Sequence, residues 1–352
     1  MRALMVSLRL LCAALLCGGM MFPSFGQVGF RVMTYNVENL FDCRHDSLKE
    51  DTEFLPDSER RWTPFRYWRK LDMLAKVIAA AGEERLPDVI GLCEVENDTV
   101  LYDLTRRSSL RTLGYRYVMT DSPDARGVDV ALLYQPGCFR LLSSREVVVP
   151  SPSEGLRPTR NLLYAKGQVV TGDTLHIVVC HFPSRLGRAR ASRRHRMLVA
   201  RTLCALVDSV RVSSPSAGLV VMGDFNAGSG DEVLVKMRTG FRTNADQCAT
   251  DSSPVLIEPL SDSPKKSAIR ASYRYRGIWE DIDHVFVSGP LTDSTRCLYT
   301  RDGLRTVFAL PFMYETDDKY GGVRPSRTYQ GPIYKGGVSD HFPVLLDFLV
   351  RE

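Results

Sequence analysis

The strongest constraint on the fold is a series of about ten short apolar runs, rich in Val, Ile, Leu and Tyr. Runs of this length and composition are typical of strands that are buried on one or both faces. Helical patterns fall between some of them, so the chain predicts two sheets packed together with helices outside. The predicted strands cover residues 30–35, 88–93, 115–119, 129–134, 146–149, 162–170, 175–180, 219–222, 282–287 and 342–349.

Two long helices are predicted from apolar residues at helical spacing. The first begins at Thr63-Pro64, a favourable cap and first turn, and ends at Gly82. The second covers about 192–211, and shorter helices follow Asn97 and Asp231. No repeat or linker divides the chain, and the polar segments 244–272 and 311–336 are predicted loops.

The N-terminus resembles a secretory signal peptide over residues 1–26. Arg2 and Arg9 precede an apolar run over residues 10–22. Ser24-Phe25-Gly26 then supplies small residues for cleavage before Gln27. A buried helix is disfavoured because the run meets a proline and then a strand, and a lipid anchor at Cys17 lacks the expected small residue before it. We expect export across the inner membrane, to the periplasm or outside the cell, and no membrane span in the mature chain.

Charge and cysteine content exclude some classes of function. Residues 1–26 contain two arginines and no acidic residue, so removing them lowers the formal net charge from +5 to +3. A charge this small does not by itself indicate a nucleic-acid partner. Two of the nine cysteines lie in the predicted signal peptide, and the remaining odd number excludes a closed disulfide framework. No C-x-x-C pair or other zinc-ligand spacing is present.

Polar residues follow the apolar runs at six separate places. Singly, each is typical of a turn or a solvated strand end, but six together favour a common site, because rigid strands aim the side chains that follow them. The set has no Ser or Cys nucleophile on a Gly-flanked turn. Its oxygen donors favour Mg²⁺, with Mn²⁺ or Ca²⁺ as alternatives, over zinc. The residues are Asn36 and Glu38, Glu94, His181, Asp224 and Asn226, Asp283, and Asp340 with His341.

These positions lie in motifs that resemble the endonuclease/exonuclease/phosphatase family of metal-dependent phosphoesterases. The motifs occur in family order and span almost all of the mature chain: TYNVENLF (34–41), IGLCEVEN (90–97), RGVDVALLY (126–134), HFPSR (181–185), VVMGDFNA (220–227), WEDIDHVFVS (279–288) and GVSDHFPV (337–344). The resemblance implies a four-layer α-β-β-α sandwich of two mixed sheets, in a single catalytic domain over 27–352. The loop pattern is most similar to a secreted bacterial subgroup.

The resemblance also implies a role for each motif position. Glu94 would be the principal metal ligand, supported by Asn36, Glu38 and Asp340. His341 would accept a proton or hold the phosphate, oriented by Asp283. Asp224 and Asn226 would position the attacking water, and His181 would contact a phosphate oxygen. Independently of the resemblance, residues two apart on an extended backbone point to one side, which would align Asn36 with Glu38 and Asp224 with Asn226.

Arginines crowd the segment after His181, and Arg185 and Arg188 are candidates for binding substrate phosphates. The alternative is a solvated helix start. The Tyr273-Arg274-Tyr275-Arg276 run would suit base stacking, or would be an ordinary edge strand. The segment that begins at Gly321-Gly322 leads into Ser339-Asp340-His341 and is expected to border the site; it contains Arg324, Arg327, Tyr329 and Tyr334.

Three hypotheses for function remain open on the sequence. The first is an exported nuclease that cleaves a phosphodiester with activated water. The second is a phosphatase or phosphodiesterase acting on small-molecule or lipid head-group phosphates. The third is a non-catalytic binding module, disfavoured because all six places keep chemically competent residues. We expect a monomer whose partner is nucleic acid or another phosphate ester.

Overall fold

The computed structural model describes residues 29–82, 85–150, 157–185, 189–239, 255–261 and 269–351. The predicted signal peptide, the candidate phosphate-binding residue Arg188 and most of the predicted loop 244–272 lie outside these ranges. All cysteines within them are free thiols.

One sheet has seven strands in the order β3-β4-β2-β1-β18-β13-β9. The central strand β1 pairs in parallel with β2 and antiparallel with β18, so the sheet is mixed. Its strands are β1 (Gly29–Leu40), β2 (Val89–Val95), β3 (Arg116–Met119), β4 (Asp129–Tyr134), β9 (Leu260–Ser261), β13 (Leu298–Val307) and β18 (Val344–Val350).

The other sheet has five strands in the order β12-β8-β7-β6-β5. It is also mixed, because β7 and β8 are parallel while the remaining pairs are antiparallel. Its strands are β5 (Phe139–Val147), β6 (Leu162–Val169), β7 (Thr174–His181), β8 (Gly218–Asp224) and β12 (Asp283–Val287).

Four α-helices lie in the described residues, and three of them begin where the sequence predicted a helix start. Pro64 is the first residue of its helix, the Asn97 side chain accepts from the amide of Val100, and Asp231 accepts from the amide of Val233. The helices are α1 (Pro64–Ala80), α2 (Asp98–Tyr102), α3 (Ala189–Ser213) and α4 (Glu232–Thr239).

Two apolar cores define the layers. The larger core joins the facing sides of the two sheets, where Gly91 of β2 lies against Met222 of β8, and continues to Leu74 on α1 outside the seven-stranded sheet. The smaller core lies between the other side of the five-stranded sheet and α3, and includes Val221 and Leu203. The predicted α-β-β-α sandwich is confirmed. No helix among the described residues is long and apolar enough to cross a membrane.

The structure corrects three local predictions. The strand predicted at 146–149 overlaps only the end of β5, which begins at Phe139 and is interrupted by the exposed polar residues Ser143, Ser144 and Arg145. The ten-residue strand β13 was not predicted, because polar residues and Gly303 interrupt it where its pairing register shifts. Within the predicted loop 311–336 there are two short ribbons, β14 (Tyr314–Thr316) with β15 (Val323–Pro325), and β16 (Tyr329–Gln330) with β17 (Ile333–Tyr334). A third ribbon joins β10 (Tyr273–Tyr275) to β11 (Ile278–Glu280).

Candidate functional site

Pairing of the strands brings the six polar places to one edge of the sandwich. His181 at the end of β7 is level with Asp224 at the end of β8, and Asp224 is level with Asp283 at the start of β12. In the facing sheet, β1 and β2 end at the same edge. β18 is antiparallel to β1, so His341 just before it lies there too. The convergence expected from the sequence is therefore present.

The backbone is irregular where the site residues stand. Glu38, Glu94 and Asn226 have φ angles of 51°, 67° and 48°, in the left-handed region that non-glycine residues seldom adopt. The ladders between β1, β2 and β4 change register beside the two glutamates. The expectation that an extended backbone aligns Asn36 with Glu38, and Asp224 with Asn226, is therefore wrong. Bulge-like turns direct these side chains instead.

Asp224 is at the centre of the cluster. Its Oδ2 accepts from Asn36 Nδ2 at 3.0 Å, and its Oδ1 accepts from the amide of Asn226 at 2.8 Å. His181 Nε2 and His341 Nε2 lie 3.6 Å and 3.9 Å from Oδ2. Burial, and then the charge of Asp283, raises the pKa of Asp224 to about 7. A carboxylate with this pKa takes up and releases a proton near neutral pH.

His341 and Asp283 form a buried pair. The ring Nδ1 lies 2.7 Å from Asp283 Oδ2, which also accepts from Ser272 Oγ at 2.6 Å. Burial opposes the charged ring, but Asp283, followed by Asp340 and Asp224, raises the pKa of His341 to about 10. The ring is thus protonated at neutral pH and presents Nε2 to the cluster.

His181 is buried without the partners such a ring needs. Among the described residues, its Nδ1 has no hydrogen-bond partner. Its Nε2 lies 3.6 Å from Asp224 and 3.9 Å from Glu94, both beyond hydrogen-bond length. Burial, together with Arg160 and Arg126, holds its pKa well below the usual range, so the ring is neutral. The gap beside His181 Nε2, Asp224 Oδ2 and Glu94 Oε1 therefore suits a polar ligand atom that bonds to more than one of them.

The donors around this gap fit a hard divalent cation. Glu94 accepts one backbone hydrogen bond, from Asn39 to Oε2 at 2.9 Å, and its Oε1 faces His181 and Arg126. Ligand atoms of Asp224, Asp283 and His341 also lie within 4.8 Å of one another, a spacing that would suit a metal. Asp283 and His341 are hydrogen-bonded to each other and the ring is protonated, and both oxygens of Asp224 accept hydrogen bonds, so the Oε1 of Glu94 is the oxygen best placed to bind a metal.

Glu38 and Asp340 are held by cations of the chain. Arg327 Nε lies 3.4 Å from Glu38 Oε1, and Arg327 Nη2 is hydrogen-bonded to Asp340 Oδ2. Buried Lys70 donates to the Glu38 carbonyl at 2.5 Å and to Thr328 Oγ1 at 2.6 Å. Burial, and then Asp340, raises the pKa of Glu38 to about 7, while burial lowers that of Lys70 to about 8.

Arg185, the described candidate for binding substrate phosphates, is engaged elsewhere, and so are Arg193 and Arg274. Arg185 pairs with Glu280, Arg193 with Glu232, and Arg274 with Asp317 and the carbonyls of Gly321 and Val323. Arg274 therefore supports the 317–323 loop. Tyr273 does reach the site, with its ring centroid 4.7 Å from that of His341.

Two site residues were not assigned a role from the sequence. Lys70 lies on the apolar side of α1 with Leu74 and Ile78, and a charged residue on such a face is a signal that its partner is buried too. Arg327 has no such signal beyond its place in a loop that leads to Asp340.

Comparison with known proteins gives a consistent result. A sequence model of the endonuclease/exonuclease/phosphatase family matches residues 31–350. No curated protein sequence matches the chain significantly. Solved structures share the fold at low sequence identity. The human Nocturnin catalytic domain with bound sulfate is 18% identical, with a TM-score of 0.52 over 92% of this chain and 96% of that one.

Two further structures have similar scores. TDP2 from D. rerio, complexed with a single-strand DNA product, is 14% identical, with a TM-score of 0.54 over 91% of this chain and 98% of that one. A mannosyl-6-phosphatase from Bacteroides thetaiotaomicron is 16% identical, with a TM-score of 0.54 over 91% and 99%.

Proposed function

Because the chain belongs to the endonuclease/exonuclease/phosphatase family, we propose that it is a divalent-metal-dependent hydrolase that cleaves a phosphate ester with water. The observation that carries this proposal is the single buried cluster of Glu94, His181, Asp224 and His341, in which neighbouring polar atoms lie 3.6–3.9 Å apart. A substrate oxygen or water that lies beside the line joining two such atoms can form a hydrogen bond with both.

Each residue of the cluster has a chemical role in this proposal. Asp224, with a pKa of about 7, accepts a proton from the attacking water. Protonated His341 donates from Nε2 to a phosphate oxygen whose charge grows in the transition state, and Asp283 keeps the ring charged. Neutral His181 donates to a second oxygen. Asn36 orients Asp224 through its hydrogen bond to Oδ2.

The cation would be held by Glu94, with water and substrate oxygens completing its shell, and with Mg²⁺ as the first choice and Mn²⁺ or Ca²⁺ as alternatives. When bound, it offsets the negative charge of the phosphate, which otherwise repels the nucleophile. Asn226 donates its side-chain amide to the Phe182 carbonyl at 3.0 Å and so supports the turn that follows Asp224.

Two substrate classes are carried forward. The first is nucleic acid, as the motifs suggest. The aromatic ring of Tyr273, beside His341, supports this class because the ring offers a surface on which a base can stack. The second is a small phosphate ester. It is favoured by the ion pairs of Arg185, Arg193 and Arg274, since arginines bound to carboxylates offer less to a long polyanion.

A substrate screen separates these classes. The purified protein would be assayed with Mg²⁺, Mn²⁺ or Ca²⁺ against DNA, RNA, sugar phosphates, inositol phosphates and sphingomyelin, with EDTA as the metal-free control. Cleavage of DNA or RNA supports a nuclease, and phosphate release from sugars or head groups with intact nucleic acid supports the second class. No EDTA-sensitive hydrolysis of any substrate would reject the proposed reaction and leave the non-catalytic module.

We also propose that the protein is exported, on the basis of the two arginines, the apolar run over 10–22 and the small residues before Gln27. Expression with and without residues 1–26, followed by cell fractionation and N-terminal sequencing, tests this. Recovery of the full-length form in the cytoplasm, with its N-terminus intact, would contradict it.

A further inference from the structure

We infer that Arg327 is a built-in cation of the site: it takes the position that a second divalent ion would occupy beside Glu38 and Asp340, and it binds the substrate phosphate. The site would then use one metal ion, held near Glu94. This inference rests on the proposed function for its phosphate-binding part, whereas its metal-binding part is measured without any substrate.

Both carboxylate oxygens of Glu38 are already engaged by groups of the protein. Its Oε1 faces Arg327 Nε at 3.4 Å, and its Oε2 accepts from the amide of Thr328 at 2.6 Å. The side chain is buried. A metal ligand must offer an oxygen lone pair at about 2–2.6 Å from the ion, and hydrogen bonds from Arg327 and Thr328 compete for those lone pairs.

The charges at this end of the site already balance. Glu38 and Asp340 carry two negative charges when ionised, and Arg327 and Lys70 carry two positive ones. A second divalent ion would therefore meet a neutral group instead of a carboxylate pair, and it would also be repelled by the guanidinium. At Glu94 the nearest cation is Arg126, whose Nη2 is 3.9 Å from Oε1, so that carboxylate stays accessible.

Lys70 helps to fix the position of Arg327 through the neighbouring residue Thr328. Its Nζ donates to the Glu38 carbonyl, to Thr328 Oγ1 and, at 3.2 Å, to the Val338 carbonyl. One buried ammonium thus joins β1, the loop that carries Arg327 and the loop that carries Asp340. The guanidinium is thereby held in place before a substrate arrives, which reduces the entropy lost on binding.

Arg327 keeps donors available for a ligand. Its Nε and Nη2 contact the two carboxylates, and its Nη1 makes no hydrogen bond with any residue the structure describes. The side chain is 39% exposed, so it lies at the mouth of the site although both carboxylates beneath it are more buried. A guanidinium held on one side and open on the other is suited to a phosphate oxygen.

Calorimetric titration of the purified protein with Mn²⁺, in the absence of substrate, tests the metal-binding part. We expect one ion per chain for the unchanged protein. Arg327→Gln should bind a second ion, or bind Mn²⁺ about tenfold more tightly, because Glu38 and Asp340 lose their cation. Arg324→Gln is the matched control, since Arg324 lies in the same segment but pairs with Glu315, and it should behave as the unchanged protein.

Titration with inorganic phosphate at saturating Mn²⁺ tests the second part. Arg327→Gln should weaken phosphate binding about tenfold or more, the scale of one charge-assisted hydrogen bond. Two ions per chain in the unchanged protein, or identical metal and phosphate binding in Arg327→Gln, would overturn the inference. If circular dichroism shows that Arg327→Gln is unfolded, Arg327→Lys decides. One bound ion with phosphate binding weakened about fivefold supports the inference, and unchanged phosphate binding overturns it.

Absence of hydrolysis would count against the proposed function without affecting the ion stoichiometry. The two failures are therefore distinguishable.

Discussion

Asp283 Oδ2 lies 2.7 Å from Nδ1 of His341, and this carboxylate is completely buried at the start of β12. The pair joins the two sheets, because β12 belongs to the five-stranded sheet and His341 precedes β18 of the seven-stranded one. The positive charge of the His341 ring is thus maintained by a residue of the opposite sheet. The pH dependence of activity should therefore depend on a residue that does not touch the substrate.

Asp283→Asn should move the alkaline limit of activity downwards. With Asp283 present the pKa of His341 is about 10, and the ring is protonated below that pH. Without the carboxylate the pKa should fall towards the ordinary 6.5, because burial then acts with less opposition. Measured as kcat against pH, activity of the variant should decline through about pH 7 while that of the unchanged protein persists beyond pH 9. Identical alkaline limits would show that a protonated His341 is not required.

Asp224→Ala and His341→Ala should each lower kcat by about 10²-fold or more, the scale of a lost base or of a lost hydrogen bond to the transition state. Both variants should keep a folded circular dichroism spectrum. Asp208→Ala is the control, because Asp208 is an exposed residue of α3 whose nearest cation is Arg211 at 4.0 Å. A rate like that of the unchanged protein in either site variant would remove the proposed mechanism.

Gly223→Ala should prevent or greatly weaken folding. A Cβ at this position would lie 1.8 Å from the Cys180 carbonyl oxygen on β7, and the φ of 147° is unfavourable for other residues. We expect a loss of about 3 kcal/mol or more in the free energy of unfolding. Gly230→Ala is the matched control, since its Cβ would meet nothing within 4 Å. Urea unfolding measures both, and equal stabilities would contradict the close approach of β7 and β8.

Glu258→Gln should reduce stability at neutral pH but not in acid. Burial opposes the charge of Glu258, but its hydrogen bond from His284, at 2.6 Å, and the charge of that ring lower its pKa to about 2. Since the folded pKa lies below the ordinary 4.5, the stabilisation is complete above pH 4.5 and is lost as the pH falls through 2.

Thermal unfolding between pH 2 and 7 should show a deficit of about 1–3 kcal/mol at neutral pH that shrinks in acid. Glu59→Gln, at an exposed position, should show none. A deficit of the same size at every pH would mean that the charge of Glu258 is not what stabilises the fold.

The layers of the fold and most of the polar residues that meet at the candidate site could be predicted from the amino-acid sequence. Apolar runs record burial directly, so strands such as β4 were predicted with the observed ends, and motif residues at strand ends were expected to meet. Most of β5 and all of β13 were not predicted, because exposed or polar residues interrupt them and their pairing depends on neighbouring strands.

The charge balance of the site and the directions of its side chains could not be predicted from the sequence. Lys70 and Thr328 are 258 positions apart in the chain, and Arg327 is 289 positions from Glu38, so no local pattern links them. The left-handed backbone at Glu38 and Glu94 likewise contradicts their strand-like sequence context. Both features arise because side chains from distant segments must satisfy their charges and hydrogen bonds in a shared buried space, and that requirement is not expressed in any single stretch of sequence.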